Sequence, residues 1–107
     1  MNSQFKKGVL DLCVLAALKH KDTYGYELAE QISKSIEIAE GTLYPILRKL
    51  KADGLCETYL SDESGGPPRK YYRLTPAGRQ EEAQMRAEWL TFVHQVNILL
   101  MEEQGDE

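Results

Sequence analysis

Basic and aromatic side chains are concentrated in one stretch of an otherwise acidic chain. Six basic and four acidic residues lie between Thr42 and Arg73, whereas the rest of the 107-residue chain holds seven bases and thirteen acids. Arginine and lysine at this density can donate charge-assisted hydrogen bonds to phosphates. Salt screens charges beyond about 8–10 Å, so a local basic strip can attract a polyanion although the whole chain carries −4. The strip predicts binding to nucleic acid.

Side chains suited to covalent or metal chemistry lack the spacing that such chemistry requires. Cys13 and Cys56 do not form a CxxC or Cys/His pattern, and His20 and His94 are isolated. No nucleophile elbow is present, and the residues after the glycine pair at 65–66 suit a strand better than the helix of a phosphate-binding loop. The sequence therefore predicts a protein that is not an enzyme and has no cofactor and no metal site.

A helix that ends at Gly54 carries the first half of the basic strip. Apolar residues recur at i, i+3, i+4 and i+7 and predict one buried face: Leu43, Ile46, Leu47 and Leu50. Polar and charged residues that reach solvent lie nearer its N-terminus, where a helix entering a DNA groove makes its contacts: Thr42, Tyr44, Arg48 and Lys49. These residues alone fit an ordinary amphipathic surface helix and a DNA-recognition helix equally well.

Two starts for this helix stay open. If it begins at Glu40, Pro45 lies inside it and presses on the carbonyl of Gly41, which has no Cβ and can bend away. If it begins at Leu43, Thr42 is the N-cap and Pro45 lies in the first turn.

The surrounding pattern predicts a mostly α fold with a small β-hairpin. Residues 8–19 are apolar nearly all round, which indicates a helix buried on more than one side. A second helix over 24–35, capped by Asp22 or Thr23, forms a helix-turn-helix pair with the helix after it. After Gly54 the period changes to two, so 55–60 and 69–74 are predicted strands joined by a turn-rich loop. A two-stranded hairpin must pack on helices to be stable, as a wing does.

Thr75 and Pro76 predict the start of a last helix that runs to about residue 103, too long for so small a domain to cover. Alternating spacings of four and three indicate a heptad seam for dimerisation: Met85, Trp89, Phe92, Val96 and Leu99. A second row would face the first helix: Ala83, Ala87, Leu90, His94 and Met101. Residues 1–75 are predicted to form a winged helix-turn-helix DNA-binding domain, and 76–107 a C-terminal dimerisation helix with an acidic, frayed tail.

Several stretches together resemble the PadR family of bacterial transcriptional regulators, in its short subgroup with a single C-terminal helix. The matching segments cover the chain from about Val9 to Arg79: Thr23-Tyr24-Gly25-Tyr26-Glu27-Leu28, Glu40-Gly41-Thr42-Leu43-Tyr44-Pro45-Ile46-Leu47, Asp53-Gly54-Leu55, Gly66-Pro67-Pro68-Arg69-Lys70-Tyr71-Tyr72-Arg73-Leu74-Thr75 and Gly78-Arg79. One departure is Ala39, where relatives commonly carry a polar cap for the recognition helix.

The resemblance implies a homodimer that binds double-stranded operator DNA, usually as a repressor, and is released by a small molecule or another signal. It points to these residues for the major groove and its phosphates: Tyr24, Thr42, Tyr44, Arg48 and Lys49. Arg69 and Lys70 would contact DNA from the wing. Trp89, with Phe92 beside it, would bind a planar aromatic effector.

Net charge and exposed aromatics also suit an alternative, a winged-helix protein-interaction module that does not bind DNA. The longest apolar run, Leu12 to Leu18, is far below the roughly 18 residues of a membrane span, so no membrane association is expected. The N-terminus also lacks a signal sequence, and the expected location is cytoplasmic.

Overall fold

Four helices and three short strands make up the part of the chain that the structure describes. The computed structural model describes residues 3–63 and 65–105, with side chains over 8–39, 41–63 and 65–101. The elements are α1 Ser3–His20, β1 Thr23–Tyr24, α2 Gly25–Ser33, α3 Glu40–Ala52, β2 Cys56–Ser61, β3 Arg69–Leu74 and α4 Pro76–Gly105. The predicted helix-turn-helix pair followed by a hairpin and a long helix is confirmed.

Helix α1 lies at the centre of the core. It contacts α2, α3, β3 and α4, which explains why its sequence is apolar nearly all round. Its buried apolar side chains are Leu10, Val14, Leu15 and Leu18. The predicted apolar face of α3 is confirmed, because Leu43, Ile46, Leu47 and Leu50 are all at most 4% exposed. Each such side chain contributes about 1.5–3 kcal/mol to the free energy of unfolding.

Helix α3 begins at Glu40, so the earlier of the two starts is correct. Ala39 is the N-cap and makes no side-chain capping hydrogen bond, and Thr42 is not a cap. Pro45 lies inside the helix, where Gly41 offers it no Cβ to clash with. At the other end Gly54 has φ 75°. The amide of Leu55 donates to the Leu50 carbonyl, a Schellman ending that turns the chain into β2.

The sheet has one more strand than predicted. Its order is β1-β3-β2, and both pairings are antiparallel. The two-residue β1 is too short to show an alternating pattern in the sequence. The predicted capping of α2 by Asp22 or Thr23 is wrong, because Tyr24 is the N-cap and Thr23 belongs to β1. Thr23 is buried and donates its hydroxyl to the Lys21 carbonyl instead.

Helix α4 begins where predicted, against the end of α3. The Thr75 hydroxyl accepts a hydrogen bond from the Gly78 amide at 3.0 Å and donates to the Gly54 carbonyl at 2.7 Å. A Cβ on Gly78 would overlap the Leu55 carbonyl oxygen, so only glycine lets α4 approach this closely. Close packing of α4 against Leu55 therefore explains the glycine of the Gly78-Arg79 segment that resembles the PadR family.

The first half of α4 packs on α1 and the second half projects, giving a chain 61 Å long. Predicting that the second row faces α1 was wrong: Ala83, Ala87, Leu90, His94 and Met101 are all exposed. Glu82 and Met85 lie at the α1 contact instead. The backbone of the predicted tail is helical as far as Gly105, and residues 106–107 lie outside the described residues.

Candidate nucleic-acid interface

A concavity of about 460 Å³ opens between the helix-turn-helix pair and the hairpin. We call it the basic concavity. It is lined by Tyr24, Tyr26, Tyr44, Arg48, Arg69, Lys70 and Tyr72. It therefore brings together side chains from β1, α2, α3 and β3.

Tyr44 packs across the bare backbone of Gly25. A Cβ at Gly25 would lie 2.8 Å from Cε1 of Tyr44, a separation that real side chains do not tolerate. Gly25 is buried, whereas Tyr44 remains 37% exposed. The missing side chain at Gly25 thus lets the Tyr44 ring of α3 pack against the start of α2, while the outer face of the ring stays accessible.

An aromatic ladder across the sheet holds Arg69 in place. Tyr71 lies on the middle strand, opposite Tyr24 on one side and Tyr59 on the other. Its ring meets that of Tyr24 edge-on at 5.4 Å and stacks on that of Tyr59 at 5.6 Å. The guanidinium of Arg69 lies 4.5 Å from the Tyr24 ring centroid, and that of Arg73 lies 4.8 Å from the Tyr59 centroid. Such cation–π contacts limit the directions an arginine can take.

The hairpin is also tied to the loop after α1. The Tyr59 hydroxyl donates to Oδ2 of Asp22 at 2.7 Å. This hydrogen bond, with desolvation and the negative charge of Asp22, raises the pKa of Tyr59 to about 12. Arg73 pairs with Glu57 across the hairpin at 3.0 Å. The first contact fixes the hairpin relative to the segment between α1 and β1, and the second joins its two strands.

Cations of the basic strip differ in their partners. Lys49 donates to Asp11 of α1 at 2.8 Å, and Arg73 is paired with Glu57. Within the described residues no ion pair joins Arg48, Arg69 or Lys70 to a carboxylate. These three cations line the basic concavity. Lys51 has no such ion pair among the described residues either, but it lies outside the concavity, so most of the uncompensated positive charge of the strip is concentrated there.

Five of the seven residues predicted to contact DNA line this one surface, and two do not. Tyr24, Tyr44, Arg48, Arg69 and Lys70 come together. Thr42 is exposed but lines a separate cavity of about 280 Å³ beside Ala39. Lys49 lies on the side of α3 that faces α1, where its hydrogen bond to Asp11, and that carboxylate's charge, raise its pKa.

Two tyrosines of the basic concavity were not predicted as site residues. Tyr26 is 55% exposed and follows Tyr24 by two positions. Tyr26 belongs to the Thr23-Tyr24-Gly25-Tyr26 segment that resembles the PadR family, and this membership could have indicated it as a site residue. Tyr72 is buried and pairs with Thr23 across the sheet. No nearby residue in the sequence indicates that Tyr72 belongs to the site, because its place there depends on pairing with the distant strand β1.

The predicted seam on α4 forms a second candidate site. Met85, Trp89 and Phe92 line a largely apolar groove of about 370 Å³ together with Glu88 and with residues 8, 9 and 12 of α1. The rings of Trp89 and Phe92 are 6.3 Å apart and tilted by 46°. Further along, Val96 is half-buried and Leu99 is 67% exposed. Other large apolar side chains of α4 are also exposed: Leu90, Ile98, Leu100 and Met101.

A buried carboxylate joins α4 to α1. Glu82 is 1% exposed and pairs with Arg86 at 3.0 Å and with Lys19 at 3.6 Å. Burial alone would raise the pKa of Glu82, but the hydrogen bond and charge of Arg86, with the charge of Lys19, hold it below its ordinary value. Glu82 is therefore an ionised anchor at the base of the projecting helix.

Comparisons with known proteins agree with this architecture. The model described as the transcriptional regulator PadR-like family matches residues 14–84. The crystal structure of the PadR-like transcriptional regulator BC4206 from Bacillus cereus is 36% identical, with a TM-score of 0.85, and the alignment covers 92% of this chain and 97% of that one. The transcriptional regulator Rv3488 from Mycobacterium tuberculosis is 35% identical over 79 residues, 71% of each chain. The putative regulator TA0346 from Thermoplasma acidophilum, 21% identical, shares the fold with a TM-score of 0.79, over 94% of this chain and 97% of that one.

A helix-turn-helix pair with a basic hairpin beside its second helix defines a winged-helix protein. The chain belongs to the PadR-like family of transcriptional regulators. That family consists of non-enzymatic DNA-binding regulators, so the prediction that the protein is not an enzyme is confirmed. Family membership also implies DNA binding and disfavours the alternative of a pure protein-interaction module. Over the described residues, no group of three or more potential metal ligands comes together, and no helix has the length and apolarity to cross a membrane.

Proposed function

We propose that the protein is a homodimeric repressor that binds operator DNA through its basic concavity and is released by a planar aromatic effector. The observation that carries the DNA-binding half is the convergence of Arg48, Arg69 and Lys70, uncompensated by carboxylates, on one open surface. Arg48 projects from the recognition helix α3, whereas Arg69 and Lys70 project from the hairpin.

The two elements divide the contacts. A helix fits the major groove of B-DNA, about 12 Å wide, so Arg48 and Tyr44 would reach base edges or phosphates there. Arginine donates bidentate hydrogen bonds to guanine or to a phosphate. Arg69 and Lys70 would neutralise the backbone beside the groove, with Tyr24 holding the Arg69 guanidinium. Lys49, paired with Asp11, would contribute less than Arg48.

Dimerisation is proposed to use the seam of α4. Phe92 is 48% exposed and Leu99 67%, and the groove between α1 and α4 offers an apolar surface for a partner helix. Exposed apolar side chains in this number on a projecting helix mark an association surface, and a second copy of the helix would cover it. Two recognition helices about 34 Å apart would then read the half-sites of a palindrome.

An effector is proposed to bind at Trp89 and Phe92. A planar aromatic molecule would stack on Trp89 in the apolar groove and change the packing of the two α4 helices, and hence the spacing of the recognition helices. Trp89 is the only tryptophan, so such binding should quench the tryptophan fluorescence of the protein. Flat titrations across a panel of planar aromatics would remove this part of the proposal.

The DNA-binding assignment is tested by comparing two substitutions on α3. Arg48→Ala removes one uncompensated cation from each protomer and should weaken operator binding at least about tenfold, since each lost contact costs about 1–3 kcal/mol. Lys51→Ala removes a cation from the same helix outside the basic concavity and should change affinity by less than about threefold. Gel shifts with operator fragments selected from genomic DNA measure both. Equal losses for the two variants would contradict the assignment.

A further inference from the structure

One ion pair ties the recognition helix α3 to the core helix α1. Nζ of Lys49 lies 2.8 Å from Oδ2 of Asp11, and no other ion pair among the described residues joins α3 to another element. The two side chains are unequally buried, since that of Asp11 is 9% exposed and that of Lys49 is 53% exposed. The acid of this pair is therefore inside the protein, and its cation is at the surface.

Burial lets Asp11 bind Lys49 more firmly than a surface carboxylate would. The other carboxylate oxygen of Asp11, Oδ1, is buried and has no hydrogen-bond partner among the described residues. Lys49 is thus the only described side chain that compensates the charge of Asp11. Water replaces a lost partner in an exposed ion pair, whereas a buried carboxylate that loses its cation is left uncompensated. Releasing Lys49 is therefore costly.

Without this contact, Lys49 would be within reach of the phosphates of a bound duplex. Successive residues are about 100° apart on a helix, so Lys49 lies on the flank of α3 beside Arg48, which opens into the basic concavity. A helix about 10–12 Å in diameter fills a major groove about 12 Å wide, so its flanks face phosphates. Lysine has a flexible four-carbon stem, which would let the ammonium turn from Asp11 to a phosphate.

A phosphate contact by Lys49 would strengthen binding to every duplex, because phosphates carry no sequence information. We propose that Asp11 withholds Lys49 from the DNA backbone and so limits sequence-independent binding. Asp11 is then a positioning residue that acts on DNA affinity through Lys49. This inference rests on the proposed function in one respect, the entry of α3 into the groove.

Replacing Asp11 by leucine in the full chain tests the proposal. Leucine removes the carboxylate and suits the apolar neighbours Leu15 and Leu50, while the half-exposed Lys49 ammonium stays hydrated. Asp11→Leu should bind a labelled duplex without operator sequence at least about threefold more tightly at about 50 mM salt. The slope of log association constant against log salt concentration should steepen by about 2 for a dimer. A pair that only held α3 in place would give the opposite sign, weaker binding, when it is removed.

A double variant shows whether the gain passes through Lys49. Asp11→Leu combined with Lys49→Met lacks both partners of the pair, so its affinity should return to within about twofold of the wild type. Its salt slope should return as well. Should leucine prevent folding, Asp11→Asn removes the same charge and carries the same expectations, alone and with Lys49→Met.

Glu57→Gln is the control matched in net charge. It removes one carboxylate from the pair with Arg73, a cation that lies outside the basic concavity, and should change affinity by less than about twofold. Unchanged or weaker binding by the Asp11 variant, a gain that survives Lys49→Met, or an equal gain in Glu57→Gln overturns the proposal.

Failure of the proposed DNA contacts is recognised separately. Arg48→Ala, made in the wild-type chain and measured with operator DNA, reports on the basic concavity and changes neither Asp11 nor Lys49. A gain through Lys49 without an Arg48→Ala defect would contradict the basic concavity and leave the role of Asp11 standing. An Arg48→Ala defect without that gain would overturn the role of Asp11 alone.

Discussion

At the scale of single residues, the ion-pair partner of a basic side chain, more than its position on the helix, decides whether it is available to contact DNA. Arg48 and Lys49 are neighbours on α3, yet Lys49 turns toward the buried carboxylate of Asp11 while Arg48 opens into the basic concavity. A lysine already held at 2.8 Å by a carboxylate gains less from a phosphate, because it must give up that contact first. Arg48 has no such contact to lose among the described residues.

Glu82 leads to a prediction about pH. Because its folded pKa is lowered, its contribution to stability is present above the ordinary value of 4.5 and is lost as the pH falls through the folded pKa. Glu82→Gln should therefore cost about 1–3 kcal/mol of unfolding free energy at pH 7, since charge-assisted hydrogen bonds to Arg86 are weakened. The difference from wild type should shrink below pH 4.5, as measured by denaturant unfolding.

Glu88→Gln is the matched control for that experiment, because Glu88 is exposed on the same helix. It should show no comparable pH-dependent difference. A Glu82→Gln deficit of constant size between pH 7 and pH 3 would mean that the carboxylate is not the source of the stability.

At the scale of elements, the short strand β1 determines how the hairpin meets the helices. It places Tyr24 beside Tyr71, and through Tyr71 the ladder reaches Tyr59 on the outer strand. Tyr59 in turn is held by Asp22, just before β1. The hairpin is therefore fixed at both edges of the middle strand, which gives Arg69 a defined position in a wing that would otherwise be mobile.

Removing the middle ring of the ladder should weaken DNA binding. Tyr71→Leu leaves Tyr24 without its edge-on partner, so the Tyr24 ring no longer holds Arg69 in place. Operator affinity should therefore fall by about fivefold for each bound protomer, which corresponds to the roughly 1 kcal/mol of a cation–π contact. Tyr71→Phe keeps the ring and should bind like wild type. Fluorescence anisotropy with labelled operator measures both variants. A Tyr71→Phe defect as large as that of Tyr71→Leu would show that the hydroxyl, not the stacking, matters.

Apolar periodicity, together with the residues that start and end helices, predicted most of the helices and strands. The features that were not predicted depend on contacts between segments far apart in the sequence. Some signals depend only on residues that are close together in the sequence, and they can therefore be recognised there: the apolar stripe of α3, Gly54 at its end, and the Thr75-Pro76 start of α4. Strand β1, by contrast, exists only because β3 offers it a partner. The side of α4 that faces α1 was misassigned because Glu82, a charged residue, is buried there with Lys19 and Arg86.

The candidate site was predictable in composition and less so in geometry. The basic strip and the PadR resemblance indicated the residues, and five of them do share one surface. Lys49 could not be separated from Arg48 on a helical projection, because its partner Asp11 lies 38 positions away in the sequence. The sequence allows Thr42 to be either a helix cap or a contact residue. Because α3 begins at Glu40, Thr42 is not a cap, and it lines another cavity.

At the scale of the whole molecule, an acidic body carries a compact basic surface and a long apolar arm. The net charge of −4 disfavours nonspecific attraction to nucleic acid, so DNA binding would depend on the few cations of the basic concavity. Duplication of that surface through the arm on α4 would double the number of phosphate contacts without changing the overall acidity. The dimer is thus proposed as a condition of operator binding as well as of stability.

The salt dependence of operator binding tests this account most directly. If two protomers each use Arg48, Arg69 and Lys70, the logarithm of the association constant should fall with the logarithm of salt concentration with a slope of about −5. Arg48→Ala should reduce the magnitude of that slope by about 2, one contact from each protomer, and Lys51→Ala should leave it unchanged. A wild-type slope near zero, or one that Arg48→Ala does not alter, would contradict binding through the basic concavity.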